Sequence, residues 1–287
     1  MSGISGSGCE VVIPESELKP IKEIERSIIK KYRKELWSPF VKAIKNYDLI
    51  QSGDKIAIAI SGGKDSLLLA KLFQELQKHG HQNFELEFIC MDPGFNEINR
   101  RQLEENCAHL EIPIKIFDKA IFRVVDEIAN DYPCYLCARM RRGALYAYAK
   151  ELGCNKVALG HHFDDTIETI MMNVLCSGQY KTMMPKLKST NFDDMELIRP
   201  MYLIKENDIK RFSSTNGLNP MNCGCVVAAK KTSSKRAEVK ALIETLGKTF
   251  DNVDKNIFNS ANCVHSDAIL GWKTEEGRYS FLDEYDQ

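Results

Sequence analysis

One short segment, Ser61-Gly62-Gly63-Lys64-Asp65-Ser66, has the residue types of a phosphate-binding loop. It follows the apolar run 56–60 directly and precedes a stretch of helical periodicity. The two glycines let the backbone come close to an oxyanion, while the amides of the new helix and the hydroxyls of Ser61 and Ser66 can donate to it. The segment is not a Walker loop, because the spacing G-x-x-x-x-G-K-[ST] is absent. It predicts a phosphate site, and the alternative is a glycine turn that closes an ordinary strand.

Four of the ten cysteines are spaced like ligands of one metal centre. Cys134 and Cys137 form a C-x-x-C pair just before a predicted helix, and Cys223 and Cys225 form a C-x-C pair in a later loop. Thiolates at this spacing can bind one centre, and soft sulfur selects zinc or an iron-sulfur cluster. A structural zinc and a thioredoxin-like redox pair are the alternatives. Four other cysteines occur in strand or helix patterns and are expected to pack in the interior: Cys90, Cys107, Cys154 and Cys176.

Polar residues also follow two predicted strands. Gly160-His161-His162-Phe163-Asp164-Asp165 ends one of them, and Asp92 ends another. Carboxylates there can hold magnesium on ATP or take a proton from a substrate, and histidine can accept a proton near neutral pH. For Asp164 the alternative is a helix N-cap, and His162 is expected to be structural. Asp92 is placed to meet the adenosine half of ATP, or is a plain turn residue.

The elements that position these residues alternate regularly between strand and helix. This alternation predicts an α/β fold with a parallel sheet covered by helices on both faces. Such sheets bind ligands at the carboxyl ends of their strands, here after Ile60, Met91 and Gly160. The predicted strands are Lys55–Ile60, Phe84–Met91, Ile114–Phe117, Lys156–Gly160 and Glu196–Arg199. The predicted helices are Asp65–His79, Phe95–Leu110, Ala138–Leu152, Asp164–Leu175, Lys205–Asn216 and Ala228–Leu246.

Length and composition predict a globular protein. The chain has 287 residues, of which 44% are hydrophobic, enough for one large or two modest domains. We expect a disordered lead-in over 1–18, a basic helical region over 19–50, a nucleotide-binding domain over 51–225, and a helical extension with an acidic tail over 226–287. No apolar run reaches the roughly 18 to 20 residues of a membrane span, and Glu10, Glu15 and Glu17 replace the apolar region of a signal peptide. We therefore expect a cytoplasmic protein without membrane contact.

Positive charge is local. The formal net charge is -1, from 39 basic and 40 acidic residues, so bulk charge indicates no nucleic-acid partner. Residues 19–45 nevertheless hold nine Lys or Arg against three Glu, with Ile21, Ile24, Ile28 and Tyr32 at helical spacing. Bases also cluster at Arg139, Arg141 and Arg142, and over 226–248. These segments favour a polyanion such as tRNA, although a merely solvated helix is the alternative for the first.

The unaltered motif SGGKDS resembles the PP-loop ATP pyrophosphatases. Further segments resemble the tRNA-cytidine 2-sulfurtransferase branch of that superfamily, and the similarity extends from about Lys30 to Cys225. These segments are Cys134-Tyr-Leu-Cys137-Ala-Arg-Met-Arg141-Arg142-Gly143, Gly160-His161-His162-Phe163-Asp164-Asp165, Met184-Pro185-Lys186-Leu187 and Arg199-Pro200. The resemblance implies a Rossmann-like PP-loop fold and an ATP-dependent tRNA sulfurtransferase.

The resemblance also implies roles for individual residues. The loop Ser61, Gly62, Gly63, Lys64, Asp65 and Ser66 would hold the pyrophosphate end of ATP, with Lys64 offsetting developing charge and Asp65 helping to hold magnesium. Gly160 and His161 would line the nucleotide pocket together with Asp92. Catalytic roles would fall to Lys64, Asp164, Asp165 and Arg141.

In that branch three cysteines hold a [4Fe-4S] cluster with one iron open to the transferred sulfur. Cys134 and Cys137 match two of them, and the third is Cys225 or Cys223, because the later pair is one residue shorter than the family's C-x-x-C. The implied reaction adenylates the C2 oxygen of a pyrimidine, an anticodon-loop cytidine by resemblance, and replaces it with sulfur. The implied partners are tRNA, a sulfur donor such as a cysteine desulfurase, and a second copy in a homodimer. The alternatives are a 2-thiouridine synthase, an amide-forming PP-loop synthetase, and a non-catalytic iron-sulfur redox sensor that binds ATP.

Overall fold

The computed structural model describes residues 14–80, 83–118, 133–221, 235–283 and 285, and only the backbone of 133–139. Six strands form the main sheet in the order β3-β2-β1-β4-β6-β5. The strands are β1 (Lys55–Ala59), β2 (Glu85–Asp92), β3 (Ile114–Asp118), β4 (Lys156–Ala158), β5 (Lys186–Lys188) and β6 (Glu196–Ile198). All neighbours are parallel except β5, which is antiparallel to β6. The predicted α/β class is confirmed, and β5 is a strand that the sequence pattern did not predict.

Helices cover both faces of this sheet. The helices are α1 (Ile21–Ile29), α2 (Ser38–Asn46), α3 (Lys64–His79), α4 (Glu97–His109), α5 (Pro133–Glu151), α6 (Phe163–Ser177), α7 (Glu206–Thr215), α8 (Lys235–Leu246) and α9 (Val253–Ser260). Alternate residues of β1 enter different cores: Ile56 and Ile58 pack with α1 to α4 and α7, whereas Ala57 packs with α5. Within the described ranges, no helix is both long and apolar enough to cross a membrane.

The central position of β1 creates the cleft. The chain leaves β1 through α3 to reach β2 on one side, whereas β4 pairs with β1 on the other. The loops that follow β1 and β4 diverge where the strand order reverses, which is where sheets of this kind bind ligands. These loops, 60–63 and 159–162, carry the motifs that the sequence predicted for this edge.

The N-terminal helices bury every fourth residue. The buried side chains are Ile24, Ile28, Tyr32, Leu36, Phe40 and Ile44. An α-helix has 3.6 residues per turn, so a repeat of four drifts around its axis by about 40° at each step. The wider π-helical turn Arg33–Trp37 corrects this drift, so that the row of buried apolar residues, here called the apolar stripe, continues to face the core. The predicted amphipathic segment is therefore two α-helices joined by this turn.

The C-terminal helices pack on α6. Val239 and Ile243 of α8 and Phe258 of α9 form a cluster with Phe163 and Ile167. The chain ends in a hairpin of β7 (Gly271–Lys273) and β8 (Arg278–Ser280), where Trp272 stacks on Tyr279 at 5.6 Å between ring centroids. Helix α9 and the hairpin were not predicted from the sequence. The predicted helix Ala228–Leu246 is present as α8 from Lys235, and its earlier residues lie outside the described ranges.

Part of the expected disordered lead-in is held in place. Residues 1–13 lie outside the described ranges, but the Glu15 amide donates to the Ser214 carbonyl at 3.2 Å and the Lys19 amide to that of Asn216 at 3.1 Å. Gly217 has a φ of +69° and approaches this segment so closely that a Cβ there would lie 2.3 Å from the Glu17 carbonyl oxygen. The prediction of disorder is therefore wrong for 14–18, because backbone hydrogen bonds attach this segment to the end of α7.

Gly217→Ala is expected to destabilise the protein by more than about 2 kcal/mol, because left-handed strain adds to the clash with Glu17. Gly153→Ala is the matched control, since Gly153 has a φ of +74° and a Cβ there would have nothing within 4 Å. It should cost only about 1 kcal/mol. Urea unfolding measures both, and the excess should disappear when residues 1–18 are deleted. Equal costs in the full chain would contradict the packed arrangement of 14–18.

Candidate active site

The loop after β1 has a backbone that only glycine accommodates. Gly62 has a φ of +82°, and a Cβ there would lie 3.1 to 3.2 Å from the side chains of Met221 and Leu103. The Met221 amide donates to the Gly62 carbonyl at 2.9 Å. The loop is thus fixed between α4 and the chain that leads to the later cysteine pair.

Helix α3 begins at this loop without a side-chain cap. Its N-cap is Gly63, and among the described residues the amides of Gly62, Lys64 and Asp65 have no acceptor. The Ser66 hydroxyl is turned inward instead, where it accepts from the Ser61 amide at 3.1 Å and donates to the Gly63 carbonyl at 2.9 Å. Ser66 shapes the loop, and the unpaired amides form an N-terminal anion site of the predicted kind.

The Lys64 ammonium lies between two carboxylates. It is 3.1 Å from Asp65 and 3.1 Å from Glu206, and its side chain is only 15% exposed. Burial opposes the charge on Lys64, but Asp65 and Glu206 outweigh it and raise the pKa. The lysine is therefore a fixed cation at the phosphate loop.

Glu206 is a site residue that the sequence did not reveal. It opens α7 and also contacts Lys240 at 2.8 Å and Lys210 at 3.3 Å. Burial favours its neutral form, yet Lys64 and Lys240 outweigh burial and strongly lower the pKa of Glu206. An isolated Glu at the start of a predicted helix has no motif around it, so no sequence signal marks it.

The acids after β4 hold helices together. The N-cap of α6 is His162, which forms a capping box with Asp165. Asp164 is therefore not the N-cap that the alternative interpretation proposed, because α6 begins one residue earlier, at Phe163. Its carboxylate accepts instead from the Glu206 amide at 2.7 Å and caps α7. Asp165 also accepts from Arg236 of α8 at 2.9 Å.

His161 is held by a buried arginine. Arg199 donates from Nε to Nδ1 of His161 at 3.3 Å and also bonds to the Met184 carbonyl. Because Nδ1 accepts, a neutral His161 carries its proton on Nε2. Burial lowers the pKa of His161 well below its ordinary value, although Asp165 opposes this. At neutral pH His161 is thus a hydrogen-bond donor at Nε2, rather than the proton acceptor that the sequence suggested.

Among the described residues, one carboxylate oxygen at the phosphate loop is free to bind a cation. Asp65 Oδ1 is buried without a hydrogen-bond partner and lies 3.9 Å from His162 Nε2. Gly160 packs against this acid, since a Cβ there would be 3.2 Å from the Asp65 carbonyl carbon. Across the described ranges, no three His, Cys, Asp or Glu side chains form a metal site. A single carboxylate oxygen suits magnesium that takes its other ligands from phosphates and water.

Asp92 is occupied by its own surroundings. One carboxylate oxygen accepts from the amides of Gly94 and Phe95 at 2.8 and 2.7 Å, and the other accepts from Arg100 at 2.7 Å. Arg100 also lies 3.5 Å from Asp118. This arrangement matches the turn interpretation of Asp92 and brings it into no contact with the phosphate loop.

The predicted metal ligands fall where side chains are not described. Cys134 and Cys137 lie in the first turns of α5, not before the helix as the sequence suggested. Their side chains, and the whole of Cys223 and Cys225, lie outside the described residues. Arg141 is half-buried two turns into α5, close enough to Cys90 for its charge to act on that thiol.

The remaining cysteines mostly match the packing prediction. Cys90, Cys107 and Cys154 are buried, and burial raises their pKa values to about 12, 12 and 11. Cys176 is exposed, so the prediction is wrong for it. The reason is that the last turn of α6 extends beyond the core, where residues 174–180 are exposed.

Comparison with known proteins places these features in a family. The protein-family model described as the PP-loop domain matches residues 28–222 of this chain. A tRNA-cytidine(32) 2-sulfurtransferase of Syntrophotalea carbinolica is 33% identical over 231 residues, 80% of this chain and 88% of the relative. Its namesake from Paraburkholderia phytofirmans is 34% identical over 236 residues, 80% of this chain and 68% of the relative. The solved U34-tRNA thiolase NcsA from Methanococcus maripaludis with its [4Fe-4S] cluster shares the fold, with a TM-score of 0.65, 23% identity, and coverage of 91% of this chain and 87% of that one.

Glu206→Gln is expected to destabilise the protein by about 2 kcal/mol near pH 7, because Lys64 and Lys240 lose a largely buried carboxylate. The pKa of Glu206 is lowered in the folded chain, so its contribution is present above the ordinary glutamate pKa and is lost as the pH falls toward the folded value. In urea unfolding, the difference from wild type should therefore stay constant from pH 7 down to about pH 4.5 and shrink below that pH.

Glu104→Gln is the matched control for this prediction. Glu104 pairs with Arg100 at 2.7 Å, but its side chain is 52% exposed. Its replacement should change the free energy of unfolding by less than about 0.5 kcal/mol. A Glu206→Gln effect that equals the control, or that persists unchanged in acid, would contradict the role given to Glu206.

Proposed function

Because this chain belongs to the PP-loop domain family and to the tRNA-cytidine(32) 2-sulfurtransferases within it, we propose that it thiolates a cytidine of tRNA with the help of ATP. The observation that carries the ATP step is the glycine loop whose free amides and buried Lys64 converge at the start of α3. The target base is taken from the names of the relatives. A base in an anticodon loop is accessible because it can leave its stack at modest cost.

The loop supports binding of the pyrophosphate part of ATP. The amides of Gly62, Lys64 and Asp65 donate to phosphate oxygens, and the positive end of α3 favours their charge. Lys64 stabilises the charge that grows on the leaving pyrophosphate. Its contact with Glu206 keeps the ammonium charged and oriented, at the cost of some competition for the phosphate. Asp65 Oδ1, buried without a partner, holds magnesium together with the phosphates.

The proposed chemistry has two substitutions. The C2 oxygen of cytidine attacks the α-phosphorus of ATP, the bond to the bridging oxygen breaks, and pyrophosphate leaves. Sulfide (HS⁻) then attacks C2, the bond between C2 and oxygen breaks so that AMP leaves with the former C2 oxygen, and the sulfide proton is lost to water, with no change of oxidation state. Arg141, half-buried on α5, is proposed to balance negative charge during the second step. Burial opposes the charge on Asp165, but His162, its backbone amide and Arg236 outweigh burial and lower the pKa of this carboxyl group, so it is ionised near neutral pH. It therefore orients groups as an acceptor, alongside Asp164.

The cysteine set is proposed to bind a [4Fe-4S] cluster. Cys134 and Cys137 belong to the first turns of α5, and Cys223 follows two residues after Met221, whose amide bonds to the phosphate loop. Iron-sulfur clusters are held by cysteine thiolates, so the side chains of these cysteines are suitable ligands for one. When bound, the cluster would supply the sulfur at an open iron. We place Cys225 as the third ligand and Cys223 as the alternative.

The proposal includes partners that the resemblance implies. They are a sulfur donor such as a cysteine desulfurase and a second copy of the chain, in the cytoplasm. Uridine as the target base is the nearest rival, and it is the base named for the structural neighbour. A redox sensor that binds ATP without turnover is the rival of another class. Release of AMP and pyrophosphate, coupled to formation of 2-thiocytidine, separates the proposal from both.

Lys64→Met is expected to lower kcat/KM for tRNA thiolation by at least about 100-fold, because the cation that stabilises the leaving pyrophosphate is gone. Lys78→Met lies on the same helix with a side chain that is 50% exposed, and serves as the control. The measurement is pyrophosphate release together with 2-thiocytidine content of the tRNA by mass spectrometry. Equal rates for the two variants would contradict the role of the loop.

Replacement of single cysteines by Ala tests the cluster. Protein prepared without oxygen should contain about four iron and four sulfide per chain. Cys134→Ala, Cys137→Ala and Cys225→Ala should each lose the cluster and its absorption, whereas Cys223→Ala should keep them. Retention in Cys225→Ala with loss in Cys223→Ala would exchange the third ligand. Stoichiometric zinc that depends on all four cysteines would contradict the cluster.

A further inference from the structure

The outward side of the first two helices is strongly basic. Its bases are exposed and are here called the basic face: Lys22, Arg26, Lys30, Lys31, Arg33, Lys34, Lys42 and Lys45. Lys31 lies over the Tyr32 ring at 5.2 Å, and the others form no ion pair with any residue that the structure describes. The face is therefore free to meet an external polyanion.

The acids of this segment are mostly turned away from the basic face. Glu25 is 2.7 Å from both Lys71 and Lys78 of α3. Glu35 is 3.6 Å from Arg211 of α7. Of the three acids, Glu23 alone is exposed. The face is consequently more positive than the sequence count of nine bases against three acids indicates, because two of those acids pair with bases of α3 and α7.

A groove along this face contains an aromatic ring. Its volume is about 300 Å³, and Arg33, Trp37, Val41, Lys42 and Lys45 contribute to its lining. Trp37 is half-buried and ends the π-helical turn that interrupts the helix. Turns of this type occur often at functional sites. Bases around an exposed part of an aromatic ring are the combination that binds unpaired nucleotides, through phosphate contacts and stacking.

We propose that the basic face binds the phosphate backbone of the substrate tRNA, and that Trp37 stacks on an unpaired base. This inference rests on the proposed function for the identity of the RNA. A membrane surface is the less suitable partner, because a membrane-bound helix exposes large apolar side chains. Here the apolar side chains of residues 21–46 point into the core or are half-buried, and no large one is exposed.

The test uses full-length tRNA with cytidine 32 and the double variant Lys42→Glu/Lys45→Glu in the full chain. Its Kd for tRNA should rise at least about tenfold at low salt, and the slope of log Kd against log salt should fall by about two. Lys255→Glu/Lys273→Glu changes the net charge equally at exposed positions outside the face and should bind like wild type. In the thiolation assay, the KM for tRNA should rise together with the Kd in Lys42→Glu/Lys45→Glu, whereas kcat/KM of the Lys255→Glu/Lys273→Glu control should equal that of wild type.

Trp37 is tested with a conservative pair. Trp37→Ala should weaken tRNA binding severalfold, and Trp37→Phe should restore most of it, because stacking needs only an aromatic ring. Equal melting temperatures of the two variants exclude an effect through packing on Phe40, whose ring lies 6.1 Å away.

The outcomes separate this inference from the proposed function. If wild type thiolates cytidine 32 but the double glutamate variant binds tRNA as wild type does, the basic face is not the docking surface. If that variant loses binding to anionic phosphatidylserine vesicles while its affinity for tRNA stays unchanged, the face is a membrane surface and the inference is wrong. If wild type binds tRNA through this face yet forms no thiolated base, the docking inference holds and the proposed reaction fails.

Discussion

The buried positive charge of Lys64 is the constraint on which the site depends. A lysine at the start of α3 that is largely removed from water requires carboxylates, and Asp65 and Glu206 supply them. Glu206 in turn binds Lys210 and Lys240, its own amide is capped by Asp164, and Arg236 of α8 binds Asp165 and Glu168. Four helices far apart in sequence are thereby fixed around one phosphate loop. The same cations that satisfy these acids are arranged around a place where a polyphosphate can bind.

The local part of this site could be predicted from the sequence, and the long-range part could not. The motif SGGKDS, the strand before it and the alternation of strands and helices are contiguous patterns, so they predicted the loop and the parallel sheet. Glu206 and Arg199 act through contacts with residues far away in the chain, which leave no periodic signal. The alternative in which Asp164 is the N-cap is wrong because the cap is His162, and a boundary within two residues is decided by the capping geometry itself. The edge strand β5 is Lys186-Leu187-Lys188, with one apolar residue, so it lacks the apolar run by which the equally short β4 and β6 could be predicted.

The N-terminal segment shows how packing changes the meaning of a charge count. Its four-residue apolar repeat fits the core only through the π-helical turn, which a sequence pattern at α-helical spacing does not anticipate. Packing of that stripe carries Glu25 and Glu35 toward basic partners in the protein and leaves the bases outside. A chain with a net charge of -1 can therefore present a strongly positive surface. The phosphate loop and the basic face are thus separate parts of one fold.

The central claim is that ATP activates the C2 oxygen of the base by adenylation. The most direct test is a single turnover on tRNA whose target cytidine carries a heavy oxygen isotope at C2. If the base is adenylated, the label appears in AMP, pyrophosphate remains unlabelled, and the base gains sulfur. Formation of ADP and phosphate, or label that is released as water while AMP stays unlabelled, would contradict the adenylation.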